Sequence, residues 1–580
     1  MNVTEYLISN LRDKFGINDY FGLPGDYNFN IVCTIENDNN LKWIGCTNEL
    51  NAGYAADGYA RQKGFGALVT TYGVGELSAM NAVAGSYAEN VPVIHIVGTP
   101  DSDTLKGKVA FHHGFQDPKP YNFKEAYQSI VEASAFLSKD NAKIEIDRLL
   151  KIFEKERKPI YIAIPEDVAL WEISNRNCDY NWVSDNNTLH NVVDLIIKKI
   201  NNAVRPVIVA DTLIKRYDSK AEFVEFVKKS EIPVTNFLMG ADICNDDSET
   251  YLGTYLSKYG NPQAKESLEK SDCLISVGVI YGDINSYGTP LPYKINSHIA
   301  IYGTYTYVDG EKYDNIKMAD VLRELTKKIG NKGYKLERPS IGYEKSNTSR
   351  EKLTLNYIYP RLQEFFRGED IIFAETGLVT QGIAMMKLPE NSVLHNQLLW
   401  SSIGWALPAA FGAAIANPKA RIIVVTGDGA HQISAMEVGS MCRYGVKPIV
   451  IVINNGGYSI ERYLSEKPEA RFNDIMQMDY AKFARSFKGD IWATKVETAD
   501  DFDKALRVTQ IMDKLCYIES IVDKSDLPQI AAELFTGKVS PKKKNPSVSE
   551  SDSINKQDLT VSNEENFETS VHTSLKDYEE

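Results

Sequence analysis

The chain has 580 residues, of which 43% are hydrophobic, and its formal net charge at pH 7 is −14. A chain of this length exceeds what one hydrophobic core can organise, so several domains are expected. The negative charge argues against nucleic acid or an anionic membrane as a partner. No apolar run approaches the roughly 20 residues that a membrane-spanning helix requires.

The cysteine content and the N-terminus both favour the cytoplasm. Seven cysteines are scattered along the chain, and none forms a C-x-x-C pair, which is typical of reduced thiols rather than of a disulfide framework. Residues 1–15 show a helical spacing of apolar side chains that includes Glu5 and Asp13, unlike a secretory or transit peptide. We therefore predict a cytoplasmic protein.

Residues 1–175 alternate strand-like and helix-like segments, which predicts an α/β domain with a parallel sheet. Three strands and one helix rich in small residues are predicted at Leu41–Cys46, Ala67–Thr71, Pro92–Gly98 and Asn48–Arg61. Glu49 lies at the start of this helix, where an acidic residue is favoured even when it is solvated. Its small and apolar neighbours leave a second interpretation open, a packed carboxyl that must find a partner or take up a proton.

The middle and the end of the chain carry no catalytic motif. Residues 190–340 are predicted to form a second α/β segment, with its clearest strands at Pro206–Ala210 and Cys273–Val277. Residues 536–580 are polar, rich in Ser and acidic residues, and short of large apolar groups. We expect this acidic tail to be disordered, and we assign it no function.

Residues 421–461 hold the most informative pattern of the chain. Ile422–Val425 and Pro448–Ile453 are apolar runs typical of buried parallel strands. Gln432–Tyr444 lies between them and has the apolar spacing of a helix. The segment therefore predicts a strand, a turn, a helix and a second strand that ends in a loop.

Each of these two strands ends in a polar turn, GDG at 427–429 and NNGG at 454–457. In a parallel sheet both turns lie at the carboxyl edge, where ligands bind. Asp428 offers a carboxylate and Asn455 an amide oxygen, and such an all-oxygen set suits Mg²⁺ held together with phosphates. Either motif alone is a common structural turn. Together, flanking one βαβ unit, they predict a site for a magnesium diphosphate.

GDG followed by NN at the end of the next strand matches the signature of thiamine diphosphate enzymes. Residues 1–535 resemble the 2-oxo acid decarboxylases, which include pyruvate, indolepyruvate and branched-chain 2-oxo acid decarboxylases. The resemblance implies an α/β fold of three doubly wound parallel-sheet domains. These would be a pyrimidine-binding domain at 1–175, a middle domain at 190–340, and a diphosphate- and magnesium-binding domain at 355–535.

The resemblance also implies five catalytic residues. NELNAGYAADGYAR is similar to the segment that carries the cofactor-activating glutamate, so Glu49 is expected to hydrogen-bond N1′ of the aminopyrimidine. Asp26 matches the family's catalytic aspartate, and His112 and His113 match its paired histidines. Asp26 and His113 would form a titratable pair suited to moving protons near neutral pH. Glu461 matches the glutamate that assists decarboxylation and product release.

The cofactor contacts implied by the resemblance come from the third domain. Thr376 ends a strand near the aminopyrimidine, and Ile403 matches the bulky residue that holds the cofactor bent. Ser401 stands where the family usually has Gly, and its expected contact is a backbone carbonyl. The other expected cofactor-binding residues are Gly427, Asp428, Gly429, Asn455 and Gly457. Three of these, Asp428, Asn455 and Gly457, are the expected ligands of Mg²⁺.

The implied activity is that of a carboxy-lyase, which decarboxylates a 2-oxo acid without oxidation to an aldehyde and CO₂ through a thiamine diphosphate enamine. The bulk of Ile460 favours pyruvate, which would give acetaldehyde. Thr380 and Ile284, which are smaller than the aromatics of some pyruvate-specific relatives, leave indolepyruvate, phenylpyruvate or branched-chain acids as alternatives. A carboligating enzyme similar to acetolactate synthase would share the GDG–NN unit. A non-catalytic relative would be expected to have lost an essential residue, and none is lost.

Glu49 and Asp428 lie far apart in the sequence, yet both need the same cofactor. The resemblance implies that they meet between subunits, so that each active site lies at an interface of a homo-oligomer, either a dimer or a tetramer. The expected partners are therefore a small 2-oxo acid and further copies of the chain, and neither nucleic acid nor a membrane.

Overall fold

The computed structural model describes residues 1–528 except 108–109, 117–120, 175–179, 245–249, 258–259, 287–297, 334–340 and 346–350. Three sheets, each formed mainly of parallel strands, are flanked by helices, which confirms the predicted α/β class. The tail expected to be disordered, 536–580, lies outside the described residues. None of the described helices is long and apolar enough to cross a membrane.

The first sheet has six parallel strands in the order β2-β1-β3-β4-β6-β5. Its strands are β1 Asp19–Gly22, β2 Lys42–Gly45, β3 Gly66–Thr71, β4 Val93–Thr99, β5 Ala133–Phe136 and β6 Ile160–Pro165. Its helices are α1 Val3–Phe15, α2 Phe29–Glu36, α3 Glu49–Lys63, α4 Val74–Ala88, α5 Ser102–Lys106, α6 Asn122–Tyr127, α7 Ala142–Glu156 and α8 Glu166–Ala169. The central strands β3, β4 and β6 are buried throughout, because helices cover both faces.

The second sheet has seven strands in the order β13-β12-β11-β10-β7-β8-β9, and β12 and β13 are its antiparallel members. Its strands are β7 Pro206–Ala210, β8 Val234–Asn236, β9 Tyr251–Thr254, β10 Cys273–Val277, β11 His298–Ile301, β12 Tyr305–Val308 and β13 Glu311–Asp314. Its helices are α9 Asn186–Asn202, α10 Leu213–Arg216, α11 Lys220–Ser230, α12 Pro262–Glu269 and α13 Met318–Lys328.

The third sheet has six parallel strands in the order β15-β14-β16-β17-β19-β18, which repeats the order of the first sheet. Its strands are β14 Ile371–Ala374, β15 Val393–His395, β16 Ile422–Gly427, β17 Ile449–Asn454, β18 Ile491–Val496 and β19 Leu515–Ile521. Its helices are α14 Leu355–Phe365, α15 Leu378–Ala384, α16 Ala406–Ala416, α17 Asp428–Ser434, α18 Glu437–Arg443, α19 Ser459–Leu464, α20 Tyr480–Arg485 and α21 Ala499–Thr509.

The single helix predicted at Gln432–Tyr444 is wrong in its bounds, because two helices, α17 and α18, occupy this part of the chain. α17 begins at Asp428, directly after β16 ends. An acidic residue in the first turn of a helix is favoured by the helix dipole. The N–H of Gly429 also donates to the Asp428 carboxylate at 3.0 Å. The strand end and the helix start therefore fix Asp428 together.

Helices α3 and α16 occupy equivalent places in the first and third sheets, and they pack directly on each other. A side-chain carbon on Gly58 of α3 would lie 1.9 Å from the carbonyl oxygen of Ala409, and one on Gly412 of α16 would lie 1.8 Å from that of Ala55. Only glycine allows backbones to approach this closely. The two helices belong to one apolar core, which joins the first and third sheets.

Candidate active site

A pocket opens at the carboxyl end of the third sheet, where the connections that leave β14 and β16 run in opposite directions along the sheet. Ligands of doubly wound sheets bind at such a switch point. Six of the predicted cofactor-binding residues line this pocket: Thr376, Ile403, Gly427, Gly429, Asn455 and Gly457. Apolar side chains form much of the remaining wall, among them Leu378, Val379, Ile453 and Ile460.

Three oxygen atoms converge at the polar end of this pocket. The amide oxygen of Asn455 lies 2.8 Å from the carbonyl oxygen of Gly457 and 3.2 Å from Oδ1 of Asp428. In this orientation of the Asn455 amide, no hydrogen-bond donor lies between the three oxygens. If the amide is rotated by 180°, its NH₂ group donates to the same two oxygens, and its own oxygen accepts from the Ser459 hydroxyl at 2.6 Å. A bound cation would keep the amide oxygen where it is.

The spacing of the three oxygens fits a small hard cation. Ligands at the roughly 2.1 Å that Mg²⁺ requires occupy neighbouring corners of an octahedron about 3 Å apart. The observed separations of 2.8 and 3.2 Å bracket this value. The donor set also matches the carboxylate, amide and carbonyl oxygens that Mg²⁺ binds.

Asp428 lies below the pocket surface and is fully buried. Its Oδ2 accepts a hydrogen bond from the N–H of Gly456 at 2.8 Å. Burial raises the pKa of Asp428 to about 6, although backbone N–H groups stabilise the charged form. In the described part of the chain no lysine or arginine pairs with it. A divalent cation would therefore supply the positive charge that this carboxylate lacks.

The backbone conformation of Ser401 accounts for the glycine that the resembling family usually has at this position. Its φ is +56°, in the left-handed region that costs L-residues energy. The Ser401 hydroxyl donates to the carbonyl oxygen of Leu398 at 2.6 Å, which offsets part of that cost. Gly404 also has a positive φ, +89°. Two left-handed residues thus turn the backbone sharply on either side of Ile403, whose side chain reaches the pocket.

A second group of predicted residues lies at the carboxyl end of the first sheet. Nε2 of His112 and Oδ2 of Asp26 are joined by a hydrogen bond of 2.6 Å. The sequence analysis pairs Asp26 with His113. In the structure the hydrogen-bonded partner of Asp26 is His112 instead. Tyr27 orients His112, because its hydroxyl lies 3.1 Å from Nδ1 and its ring stacks on the imidazole at 4.7 Å. Ligand atoms of Asp26, His112 and His113 all lie within 4.8 Å of one another.

The turn between β3 and α4 holds this second group together. A side-chain carbon on Gly73 would lie 2.0 Å from the carbonyl oxygen of His113, and one on Gly75 would lie 3.3 Å from Oε1 of Glu49. The loop of His113 and the start of α3 therefore both rest on this turn. His113 itself has a left-handed φ of +64°, which projects its ring beside His112 at a centroid distance of 4.8 Å.

Glu49 is half-buried at the first position of α3, and Asn48 caps this helix by accepting from the N–H of Asn51. Burial raises the pKa of the Glu49 carboxyl. Among the described residues, only its own backbone N–H is hydrogen-bonded to the carboxylate. Of the two interpretations of the sequence, the structure favours the packed carboxyl, whose outer face is open to a ligand.

The two groups of residues do not meet within one chain. All described residues that line the third-sheet pocket follow residue 354, so neither Glu49 nor the Asp26–His112–His113 group reaches it. Glu461 follows Ile460 in α19 but is exposed. Thr380 and Ile284, expected to line the pocket, are not among its lining residues. The Thr380 hydroxyl instead donates to the carbonyl oxygen of Glu375 at 2.7 Å.

Two buried glutamates near the site were missed by the sequence analysis. Glu375 lies directly after β14, and burial raises its pKa to about 7. Glu437, in the first turn of α18, accepts from the Thr47 hydroxyl at 2.7 Å and from Nδ2 of Asn51 at 2.9 Å. The only signal for Glu375 is an acidic residue directly after an apolar run. Glu437 lies inside the helix predicted at Gln432–Tyr444, where nothing distinguishes it from a solvated acid.

Family profiles match three parts of the chain. The thiamine pyrophosphate enzyme N-terminal TPP binding domain matches residues 1–123, the central domain 193–319, and the C-terminal TPP binding domain 376–520. The first match contains Asp26, Glu49, His112 and His113, and the third contains the candidate residues from Thr376 to Glu461.

Similar proteins cover nearly the whole chain. Pyruvate decarboxylase isozyme 1 of Saccharomyces cerevisiae is 32% identical over 549 residues, 91% of this chain and 97% of the relative. Pyruvate decarboxylase of Candida albicans is 32% identical over 537 residues, 88% and 94% of the two chains. An alpha-keto-acid decarboxylase of Mycobacterium avium is 32% identical over 541 residues, 92% and 96% of the two chains.

Proposed function

Because the chain belongs to the thiamine diphosphate-dependent 2-oxo acid decarboxylases, we propose that it converts pyruvate to acetaldehyde and CO₂. The observation that carries this proposal is a largely apolar pocket with an all-oxygen cation site at one end. The oxygen site suits a magnesium diphosphate, and the apolar wall suits a reaction that removes a carboxylate charge.

We assign the cofactor contacts to the residues of the third sheet. Asp428, Asn455 and the Gly457 carbonyl would hold Mg²⁺, and the backbone of Gly427 and Gly429 would face the diphosphate. Thr376, Ile403 and the backbone of Ser401 would contact the rest of the cofactor. Bound thiamine diphosphate supplies the electron sink of the reaction. The protein supplies the orientation of the cofactor and exclusion of water from the pocket.

Proton transfer is assigned to the first sheet and to α19. Glu49 would hold a proton against N1′ of the aminopyrimidine, a role that fits a half-buried carboxyl with a raised pKa. The hydrogen-bonded Asp26–His112 pair, with His113 beside it, would pass protons to and from the substrate. Glu461 would act on the substrate carboxylate from the mouth of the pocket.

We propose a homodimer, or a dimer of dimers, in which each pocket is completed by the first sheet of the partner chain. An apolar surface supports this arrangement: Val74, Leu77, Trp400, Ile433 and Met436 are each at least 40% exposed. This surface spans both parts of the chain, since Nε1 of Trp400 donates to Oδ1 of Asn81 on α4 at 2.8 Å. Exposed apolar patches of this kind mark interaction sites.

Complementation between two inactive variants tests the shared site. In a hybrid dimer of one Glu49→Gln chain and one Asp428→Asn chain, one pocket would combine both substitutions and the other would have neither. We expect such hybrids, purified through two different tags, to regain about half of the wild-type activity per dimer. A Glu49→Gln homodimer carrying the same two tags is the control. Inactive hybrids, or a fully active monomer in light scattering, would contradict the proposal.

Substrate preference is tested by aldehyde release with thiamine diphosphate and Mg²⁺. Leu378, Ile403 and Ile460 narrow the pocket with apolar side chains, so we expect kcat/KM for pyruvate to exceed that for indolepyruvate, phenylpyruvate and 2-oxoisovalerate by about tenfold or more. If the enzyme prefers the larger acids, its substrate is an aromatic or branched-chain 2-oxo acid and not pyruvate. Carboligated product without aldehyde would instead favour an activity similar to that of acetolactate synthase.

We further propose that the enzyme acts in the cytoplasm and that its domains are 1–175, 190–340 and 355–535. The three family matches lie inside these ranges, which supports the division. The scattered cysteines support a reducing compartment, because the six described ones are all free thiols.

A further inference from the structure

Glu375 is a buried carboxylate for which the proposed reaction has no use. It lies directly after β14 and is 1% exposed. Its backbone N–H donates to the carbonyl oxygen of Val425, which continues the pairing of β14 with β16. Burying a charge is costly unless hydrogen bonds or an opposite charge compensate it. Among the described residues, no lysine, arginine or histidine forms an ion pair with Glu375.

The carboxylate is compensated instead by groups from three segments that border the pocket. Oε1 accepts from the N–H of Thr376 at 3.1 Å, and Oε2 accepts from the N–H of Ala406 at 3.3 Å. The N–H of Gly404 and the side chain of Thr426 also stabilise its charged form. One side chain therefore contacts the ends of β14 and β16 and the loop that leads into α16.

Three of the four contacted residues line the pocket or adjoin a residue that does. Thr376 is itself part of the lining, and Gly404 follows Ile403. Thr426 precedes Gly427, which is followed by the cation ligand candidate Asp428. The Glu375 carboxyl group therefore links segments that lead to both the polar and the apolar ends of the pocket.

We propose that Glu375 is a positioning residue that holds these three segments in the geometry required to bind thiamine diphosphate. The inference rests on the proposed function of the pocket and deepens it. Glu375 does not touch the reacting atoms, so it affects occupancy of the pocket rather than the chemical step. Gln cannot replace it, because an amide has one acceptor oxygen and turns its NH₂ group toward backbone N–H donors.

The test compares KM for thiamine diphosphate with kcat at saturating cofactor. For Glu375→Gln we expect KM for the cofactor to rise by at least about tenfold while kcat stays within about twofold of wild type. Glu375→Asp keeps the charge and should restore part of the affinity. Thr426→Val removes one contact of the carboxylate without changing its charge, and it should raise KM by a smaller factor.

Asp370→Asn is the matched control, because Asp370 is a buried carboxylate adjacent to the opposite end of β14, where it pairs with Arg421 at 2.7 Å. It should lower thermal stability without changing KM for the cofactor. Equal cofactor KM in Glu375→Gln and wild type, or a fall in kcat alone, would overturn the inference. If Glu375→Gln fails to fold, unchanged cofactor KM in both Glu375→Asp and Thr426→Val would overturn it equally.

Calorimetric titration of the wild-type enzyme with thiamine diphosphate and Mg²⁺ separates this inference from the function on which it rests. A wild-type protein that binds no cofactor would remove the proposed function itself. A wild type and a Glu375→Gln variant that bind it equally would remove only the role of Glu375.

Discussion

Replacing Glu49 by Gln is expected to lower kcat by about 10²- to 10⁴-fold, the range that general acid–base catalysis contributes. Gln keeps the size of the side chain but can neither hold nor release a proton. The wild-type carboxyl is half-buried with a raised pKa, and its outer face has no protein partner among the described residues. Such a carboxyl suits the proposed role, in which it exchanges a proton with a ring nitrogen of the bound cofactor.

Steady-state kinetics at saturating thiamine diphosphate and Mg²⁺ measure this effect. Glu5→Gln makes the same change in the first turn of α1, where Glu5 only caps the helix. That control should reduce stability slightly and leave kcat unchanged. An unchanged thermal unfolding temperature for Glu49→Gln would show that the fold is intact. Near-wild-type turnover by this variant would remove Glu49 from the mechanism.

Asp428→Asn is expected to raise KM for the cofactor by at least about 100-fold, because loss of even an outer-shell partner of a metal ligand costs 10- to 100-fold in affinity. Asn455 and the Gly457 carbonyl would remain, but neither carries a charge. Titration calorimetry with Mg²⁺ and thiamine diphosphate measures the loss directly. Asp370→Asn, which neutralises a buried carboxylate outside the pocket, is the matched control. Cofactor binding by Asp428→Asn with near-wild-type affinity would exclude Asp428 as the main ligand.

The pKa of Asp428 also predicts opposite pH dependences for cofactor binding and for stability. Its folded-state pKa of about 6 lies above the ordinary value of 3.8. Protons therefore compete with Mg²⁺ below pH 6, and cofactor affinity should fall as the pH drops through this value. The cofactor-free protein should lose stability as the pH rises through the same value, because the buried carboxylate then becomes charged. In Asp428→Asn both dependences should be weaker than in wild type, because the contribution of this carboxylate is removed.

The runs of apolar residues in the sequence, which indicate burial, predicted the strands of the fold well. Pro206–Ala210 and Cys273–Val277 are strands with the predicted bounds, because apolar β-branched runs covered on both faces can hardly adopt another structure. The split between α17 and α18 was not predicted, since apolar spacing continues across it. Periodicity reports which side of an element is covered, but not where its hydrogen bonds are interrupted.

Contacts between loops were harder to predict than the elements themselves. The family resemblance implies that Asp26 lies near two adjacent histidines, but the choice of His112 depends on the stacking of Tyr27 and on the left-handed backbone of His113. The strain at Ser401 likewise follows from the turn around Ile403. These features depend on side chains that come together only after the three sheets have formed.

The close contact of Gly58 with Ala409 has a kinetic consequence. A hinge between the first and third sheets of one chain would have to separate α3 from α16, whose backbones are in contact. This packing disfavours cofactor exchange by opening a cleft between the two parts. If each pocket is shared between chains, as proposed, cofactor release would instead require subunits to move apart or the pocket loops to rearrange. Dilution would then inactivate the enzyme slowly, and excess cofactor would protect it by mass action.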